Sequence, residues 1–533
     1  MGETLLFYGG RVLTMEEKEK KGEPGSADAV LVEDGLIRAV GSREELEPAA
    51  RGARRIDLEG NLLMPSFLDS HSHFTQVAYS FFQVSLDGVA SPEEIRERVK
   101  SYLSRKKPGK EEWVVARDYD HNLMPKGAHP TLAQLDEMTD GQPMIIQHKS
   151  GHMGLVNSRG LALLGITDES QAPEGGRIGK EGGRLTGYLE ENAFFDCLKR
   201  VPMPGEEELA GAYEQAQQLY ASHGITTIQE GMLVKQMFPM YDLLLKRKLL
   251  WLDLVAYPDL DSFDEAASRM SRHRNGYRDH LRLGGIKIFL DGSPQGRTAW
   301  MKTPYMGTED CGYGILKDDQ VTAAFEKAAG EKVQLLAHCN GDAAAEQFLR
   351  CLEQAERTCP NLEQLRPVLI HGQLMEREQL KRAAKLGAVV SFFVAHVYHW
   401  GDVHIRNFGY ERASAISPLA SALKADLPFT LHQDSPVIQP DMWETVWCAA
   451  NRVTREGVLL GPEEKIPVWQ ALRAVTYLAA WQYGEEARKG TIAPGKRADL
   501  LVADADPLTV PSDQLRDIRV LQTYKDGRCV YSR

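Results

Sequence analysis

Cysteine is scarce and scattered in this 533-residue chain: the seven, at positions 197, 311, 339, 351, 359, 448 and 529, are odd in number and include no CxxC pair. That spacing argues against a disulfide framework and against a structural zinc site made of thiolates. Cys339 follows a histidine of interest but reads as a small buried residue, not a nucleophile. Long apolar runs are also missing. None approaches the roughly 20 residues of a membrane-spanning helix, and Met1 to Leu6 leads into a strand-like segment instead of a signal-peptide core. A cytoplasmic protein with no membrane partner is therefore expected. Concentrated positive charge is absent too: 63 Lys and Arg are interspersed with 75 Asp and Glu, for a formal charge of −12. Binding a phosphate backbone needs a basic surface, so nucleic acid is not an expected partner.

What is present is an ordinary globular composition, 43% hydrophobic and 26% charged, on a chain too long for one core. Short β-like runs separated by Gly and charged turns fill residues 1–60 ("LLFYGGRVLTM", "DAVLVEDGLIRAVG") and return at 485–533 ("KGTIAPGKRADLLVADADP", "RVLQTYKDGRCVYS"). This predicts one β-sandwich built from both chain ends. Between them, eight β-like runs alternate with amphipathic segments: "NLLMPSFLDSHSH", "ITTIQE", "WLDLVAYP", "RLGGIKIFLDG", "KVQLLAHC", "PVLIHG", "AVVSFF" and "PFTLHQD". Parallel strands need crossover helices, so the pattern predicts an α/β fold with a (β/α)8 TIM barrel. The first strand, within 61–77, is followed by more than a hundred residues before the next. Residues 78–205 are expected to be an inserted lid or subdomain after barrel strand 1, with the rest of the barrel at 206–484. The Gly-rich "EGGRIGKEGGRLTGYLEENA" lacks the P-loop pattern and is expected to form a hairpin or loop.

Chemistry in such a barrel is built where strands end. The first strand ends in His71 and His73, whose spacing of two puts both on one face. The fifth ends in His338, the sixth in His371 and the eighth in Asp434. A lone histidine at a strand end is more often structural; four with an aspartate suit a divalent ion such as zinc. The fourth strand carries Lys287 inside an apolar run, "GGIKIFLDGSPQG", where an ammonium is expensive to bury unless it is neutralised, partnered or snorkelled to water.

The motifs "MPSFLDSHSHF", "HCNGD", "LIHGQ", "LHQDSPV" and "GTIAPGKRADLLV" resemble the amidohydrolase superfamily of metal-dependent hydrolases. Within it the resemblance is to amidohydrolase family 3, the YtcJ-like branch with N-substituted formamide deformylases. It implies that His71, His73 and Asp434 bind a first metal and His338 and His371 a second, with Lys287 carboxylated by CO2 as a bridging carbamate. With one metal, part of this set would only surround the ion. The chain departs from the family pattern at His432 and Gln433, before the strand-8 Asp, and at "LIHGQ", where an acidic residue often precedes the His. The implied activity is hydrolysis of an amide C–N bond, of the N-formyl or N-acyl amine type, by metal-activated hydroxide with Asp434 as proton shuttle. Cyclic amide or carbamate hydrolysis and deamination are the alternatives, with a non-catalytic metal-binding scaffold as the rival class. The expected partner is a small amide, and a homodimer is compatible with the resemblance. On the substrate side, the resemblance implicates His152 in "HKSGHMGLVN". His396 and Trp400, in an expected loop after strand 7, would suit an apolar N-substituent. Asp291 and Gln295 complete the substrate-side candidates.

Overall fold

Two-residue turns set the strands at the chain ends. Asp34 and Gly35 both have positive φ (51° and 77°), as a tight hairpin requires to follow the strand twist. They join Ala29–Glu33 to Leu36–Gly41 as an antiparallel pair. Asp526 and Gly527 (φ 51° and 73°) do the same for Val520–Lys525 and Arg528–Ser532. The resulting four-stranded and six-stranded sheets share one apolar cluster that includes Phe7, Val12, Val32, Leu63, Leu500 and Tyr524. Leu500–Ala503 pairs with Leu62–Pro65, so the two ends of the chain are hydrogen-bonded into one sheet.

The computed structural model describes residues 3–17, 24–107, 109–149, 153–202 and 204–533. They divide into two units, residues 1–75 with 213–533 and residues 76–212. In the first unit a parallel sheet is formed by β1 (Phe67–Leu68), β2 (Ile225–Leu233), β3 (Asp253–Pro258) and β4 (Leu281–Leu283). A second parallel sheet contains β5 (Gly285–Phe289), β6 (Gln334–Cys339), β7 (Val368–His371), β8 (Val389–Phe392) and β9 (Phe429–Leu431). Their near-continuous burial fits parallel strands covered on both faces, and helices such as Phe238–Arg247, Asp318–Glu331 and Asp342–Ala355 supply crossovers.

The expected closed barrel thus appears as two parallel sheets, and two expected strands are divided. "RLGGIKIF" breaks between β4 and β5 at Gly284. A Cβ there would lie 2.6 Å from the Tyr257 ring, and one on Gly285 would lie 1.9 Å from the Gln334 carbonyl oxygen. Only glycine permits such approaches. The run at 61–68 breaks as well, giving Leu62–Pro65 to the terminal sheet and only Phe67–Leu68 to β1. Among the described residues no strand ladder joins β1 to β9. Leu68 N donates instead to Val475 O (3.0 Å), and Ser70 Oγ to Leu431 O (3.1 Å).

At the amino end of β3, buried Asp253 ties the barrel-like region to the terminal sheet. Its Oδ2 lies 2.7 Å from Lys489 Nζ and 2.9 Å from Lys525 Nζ, and its Oδ1 lies 2.8 Å from His280 Nδ1. Burial alone would raise the carboxyl pKa, but Lys489 and Lys525 hold it well below the usual range. Asp253→Asn is expected to cost about 3–5 kcal/mol at pH 7, because it leaves two buried ammonium groups short of their counter-charge. The carboxylate's contribution is complete above about pH 5 and is lost as pH falls below about 4. Urea midpoints for parent and variant should converge over that window; equal midpoints at pH 7 would contradict the assignment.

The second unit holds a six-stranded sheet in the order Gly176–Glu181, Arg184–Glu191, Met153–Val156, Met144–His148, Val114–Tyr119, Gln83–Ser85. Its Gly-rich segment is a hairpin turning at Gly182 and Gly183 (φ 56° and 82°).

Candidate metal centre

Beyond β1 the chain turns at Asp69 and presents His71 and His73. Gln229, in the middle of β2, fixes the first of these. Its amide nitrogen donates to Ser70 O (2.8 Å), so its Oε1 is the atom 2.7 Å from His71 Nδ1. An amide oxygen only accepts, which places the His71 proton on Nδ1 and leaves Nε2 with a free lone pair. That Nε2 is 3.5 Å from Asp434 Oδ1 and 3.4 Å from Lys287 Nζ.

A second relay sets His371. Ser70 Oγ spends its proton on the Leu431 carbonyl, so Ser391 Oγ donates to Ser70 across 3.1 Å. His432 Nδ1 then donates to Ser391 (2.8 Å), and His432 Nε2 accepts from His371 Nδ1 (3.2 Å). His371 Nε2 is left as an acceptor, 3.9 Å from Asp434 Oδ2. His371 and Asp434 both sit at positive φ (79° and 57°), an uncommon conformation for side-chain-bearing residues that concentrates at functional sites.

His73 Nε2 lies 3.3 Å from Asp434 Oδ1, and its Nδ1 lies 3.7 Å from Glu230 Oε1. Burial would lower its pKa, but Asp434 and Glu230 carry it up to about 9. For His71 and His371 burial dominates and holds the rings neutral. For Asp434 burial is outweighed, first of all by the protonated His73 ring beside it, which keeps the carboxylate ionised. Lys287 is 1% exposed. Burial pushes its pKa down to about 7, with Asp434 opposing, and no carboxylate lies within ion-pair distance of it among the described residues.

The ligand atoms of His71, His371 and Asp434 all lie within 4.8 Å of one another. Asp434 Oδ1, facing the Nε2 atoms of His71 and His73, is buried without a hydrogen bond of good geometry, a costly state that a bound cation relieves; His73 Nδ1 and His338 Nδ1 face Glu230 Oε1 (3.7 Å) and Asp291 Oδ1 (3.4 Å) instead. These residues therefore fit a divalent ion. His338 stands beside the cluster, its ring 4.6 Å from that of His371, with Nε2 3.3 Å from Asn340 Nδ2.

Among the substrate-side candidates, Asp291 is turned to backbone: its oxygens accept from the N–H groups of Asn340 (2.9 Å), Gly341 (2.7 Å) and Trp300 (3.1 Å). Gln295 keeps a buried, unpartnered Oε1. The segment expected to be a loop after β8 is a helix, His396–Phe408. The helical turn stacks His396 on Trp400 (4.5 Å) and brings both to Phe393 (4.6 and 5.9 Å). His152 lies outside the described residues. Gln229, Glu230 and Ser391 were not singled out from sequence. The signal for the first two was a polar pair ending the apolar run "ITTIQE", as Lys287 interrupts its own run.

Metal-type donors gathered at the carboxyl ends of parallel strands, with helical crossovers behind them, place the molecule in the class of α/β metal-dependent hydrolases. More particularly, the chain belongs to the amidohydrolase family, whose model matches residues 54–531. It is 28% identical to the N-substituted formamide deformylase of Arthrobacter pascens, over 99% of this chain and 98% of that protein. It is 26% identical to the Bacillus subtilis protein YtcJ over 99% of both. An uncharacterized metal-dependent hydrolase from Pyrococcus horikoshii shares the fold, with a TM-score of 0.78 at 23% identity over 96% of this chain and 99% of that one.

Proposed function

We propose that the chain hydrolyses the exocyclic amide C–N bond of an N-formyl or N-acyl amine. The observation that carries this reading is Asp434, an ionised, half-buried carboxylate whose Oδ1 faces the Nε2 atoms of His71 and His73 and whose Oδ2 faces that of His371. The relative named for formamide deformylation supports the substrate class. In this reading the two parallel sheets are the halves of a TIM barrel and the terminal sheets a β-sandwich. His71, His73 and Asp434 would hold one divalent ion, taken to be zinc. His338 and His371 would hold a second, and Lys287, once carboxylated, would supply an anion to both. Burial brings the Lys287 pKa down to about 7, so near pH 7 about half of the amine is neutral, the form that reacts with CO2.

A divalent ion there supplies Lewis-acid chemistry, making water nucleophilic near neutral pH and drawing charge from a carbonyl. The protein's own part is proton handling. Asp434 accepts a proton from the attacking water as its oxygen bonds to the carbonyl carbon. The same carboxyl then gives the proton to the amide nitrogen as the C–N bond breaks, releasing a carboxylic acid and an amine. Phe393, His396 and Trp400 form the aromatic wall for the N-substituent.

The test is turnover of zinc-loaded protein on N-formyl and N-acyl amines, reading acid and amine together. Release of ammonia from amino-heterocycles with no amide cleavage would overturn the reading in favour of deamination. Gln229→Leu, which removes the acceptor holding His71 in its ligand tautomer, is expected to weaken zinc binding about 10- to 100-fold in competition with a chelator. Unchanged affinity would show that Gln229 does not orient the ligand.

A further inference from the structure

The second unit carries a His/Asp cluster that this chemistry does not use. Strand Val114–Tyr119 pairs in parallel with Met144–His148, and a β-bulge after Ala116 sets Tyr119 opposite His148. The next residues, Asp120 and His121, begin a single 3-10 turn and fold over the end of the neighbouring strand. His121 Nδ1 comes to 3.0 Å from His148 Nε2, and Asp120 Oδ1 lies 3.7 Å from the same nitrogen. The ligand atoms of the three residues all lie within 4.8 Å of one another.

Three features make this more than a histidine contact. Two imidazole nitrogens at 3.0 Å share one hydrogen-bond proton; a cation that displaces it, with each ring protonated on its other nitrogen, would meet both lone pairs at the point where a carboxylate arrives. Asp120 is pre-positioned: Oδ1 accepts from Asn122 N and Asn122 Nδ2, both at 2.9 Å. His121 is backed by His129, stacked on it at 4.9 Å and 27°, whose Nδ1 is held by Tyr119 Oη at 3.1 Å. Such partners orient ligands in metal sites.

We propose that Asp120, His121 and His148 form a second divalent transition-metal site of the zinc class, with three protein donors and a remaining position for water or an external ligand. A His2Asp set of this kind suits zinc and its neighbours and disfavours the oxygen-seeking calcium and magnesium. A bound ion would staple the 3-10 turn to the strand end and stabilise the unit by mass action. The inference does not rest on the amidohydrolase reading, because no residue is shared with it.

The experiment is equilibrium dialysis of the full chain against Zn2+ with elemental analysis, in three forms: parent, His121→Gln/His148→Gln, and His71→Ala/His371→Ala. The first double variant is expected to bind one equivalent fewer than the parent, its site weakened at least 100-fold. The second is expected to keep one tight equivalent and a zinc-dependent rise in melting temperature. Parent stoichiometry retained by the first variant, or no zinc bound by the second while its circular dichroism is native, would overturn the proposal. If the first variant does not fold, the second arm alone decides. Zinc held only at the second site would leave this inference standing and defeat the hydrolase reading.

Discussion

Asp434→Asn is expected to lower kcat/KM for amide hydrolysis by about 10^3- to 10^4-fold, at the upper end of what a positioned general base and acid contributes. Asn keeps the shape and loses both the negative charge and the ability to carry a proton. The charge matters to the site as well as to the reaction. Asp434 is a principal reason that His73 holds its proton up to about pH 9 and a counterweight to burial at His71, His371 and Lys287. In the metal-free variant the His73 pKa should therefore fall, which NMR titration of the imidazole would report. Metal content is read alongside, since a variant that has lost its ions would be inactive for a different reason. An Asn variant within tenfold of the parent would remove Asp434 from the chemistry.

Lys287→Ala, prepared with bicarbonate present, is expected to fall from about two divalent ions per chain to one or fewer, with hydrolysis reduced by at least about 100-fold. In the proposed reading, loss of the bridging anion would leave two dications facing each other across the site, with little to hold the second. Equal metal content in parent and variant would rule out the bridge. A companion variant isolates the cost of the lysine itself. The Lys287 pKa is about 7 in the folded protein against about 10.4 in an unfolded chain. The unfolded state therefore binds more protons across that interval, and parent stability rises with pH through it. Metal-free Lys287→Met is expected to be more stable than metal-free parent by about 2–4 kcal/mol at pH 7, an advantage that shrinks toward pH 10. A variant no more stable than the parent would mean that the amine reaches water.

Much of the centre was legible because its signals are local. An imidazole or carboxylate directly after an apolar run is visible in "FLDSHSH", "LLAHC", "LIHG" and "TLHQD", and the Asp-Gly turns at the chain ends announce their hairpins two residues at a time. The roles of Gln229 and Ser391 were not legible. Gln229 meets His71 across 158 positions, and Ser391 meets Ser70 across 321. A polar residue in an apolar strand says that a partner exists, not which one. The helix at His396–Phe408 is not legible in sequence because its histidines and aromatics carry little helix propensity of their own; burial of His396, Val397, His404 and Phe408 outweighs it.

The amino-acid sequence by itself determined the types of chemical group at the strand ends, the alternation of strands and helices, and the β-rich pairing of the two termini, since each follows from short-range pattern. Tertiary structure decided the division at Gly284, where a neighbouring ring and backbone leave no space for a Cβ. It also decided the tautomers of His71 and His371, set by relays of residues distant in the chain. Finally, it decided the meeting of Asp120 and His121 with His148, because strand register and a one-residue bulge choose which side chains face each other, and neither is written in the spacing of the histidines.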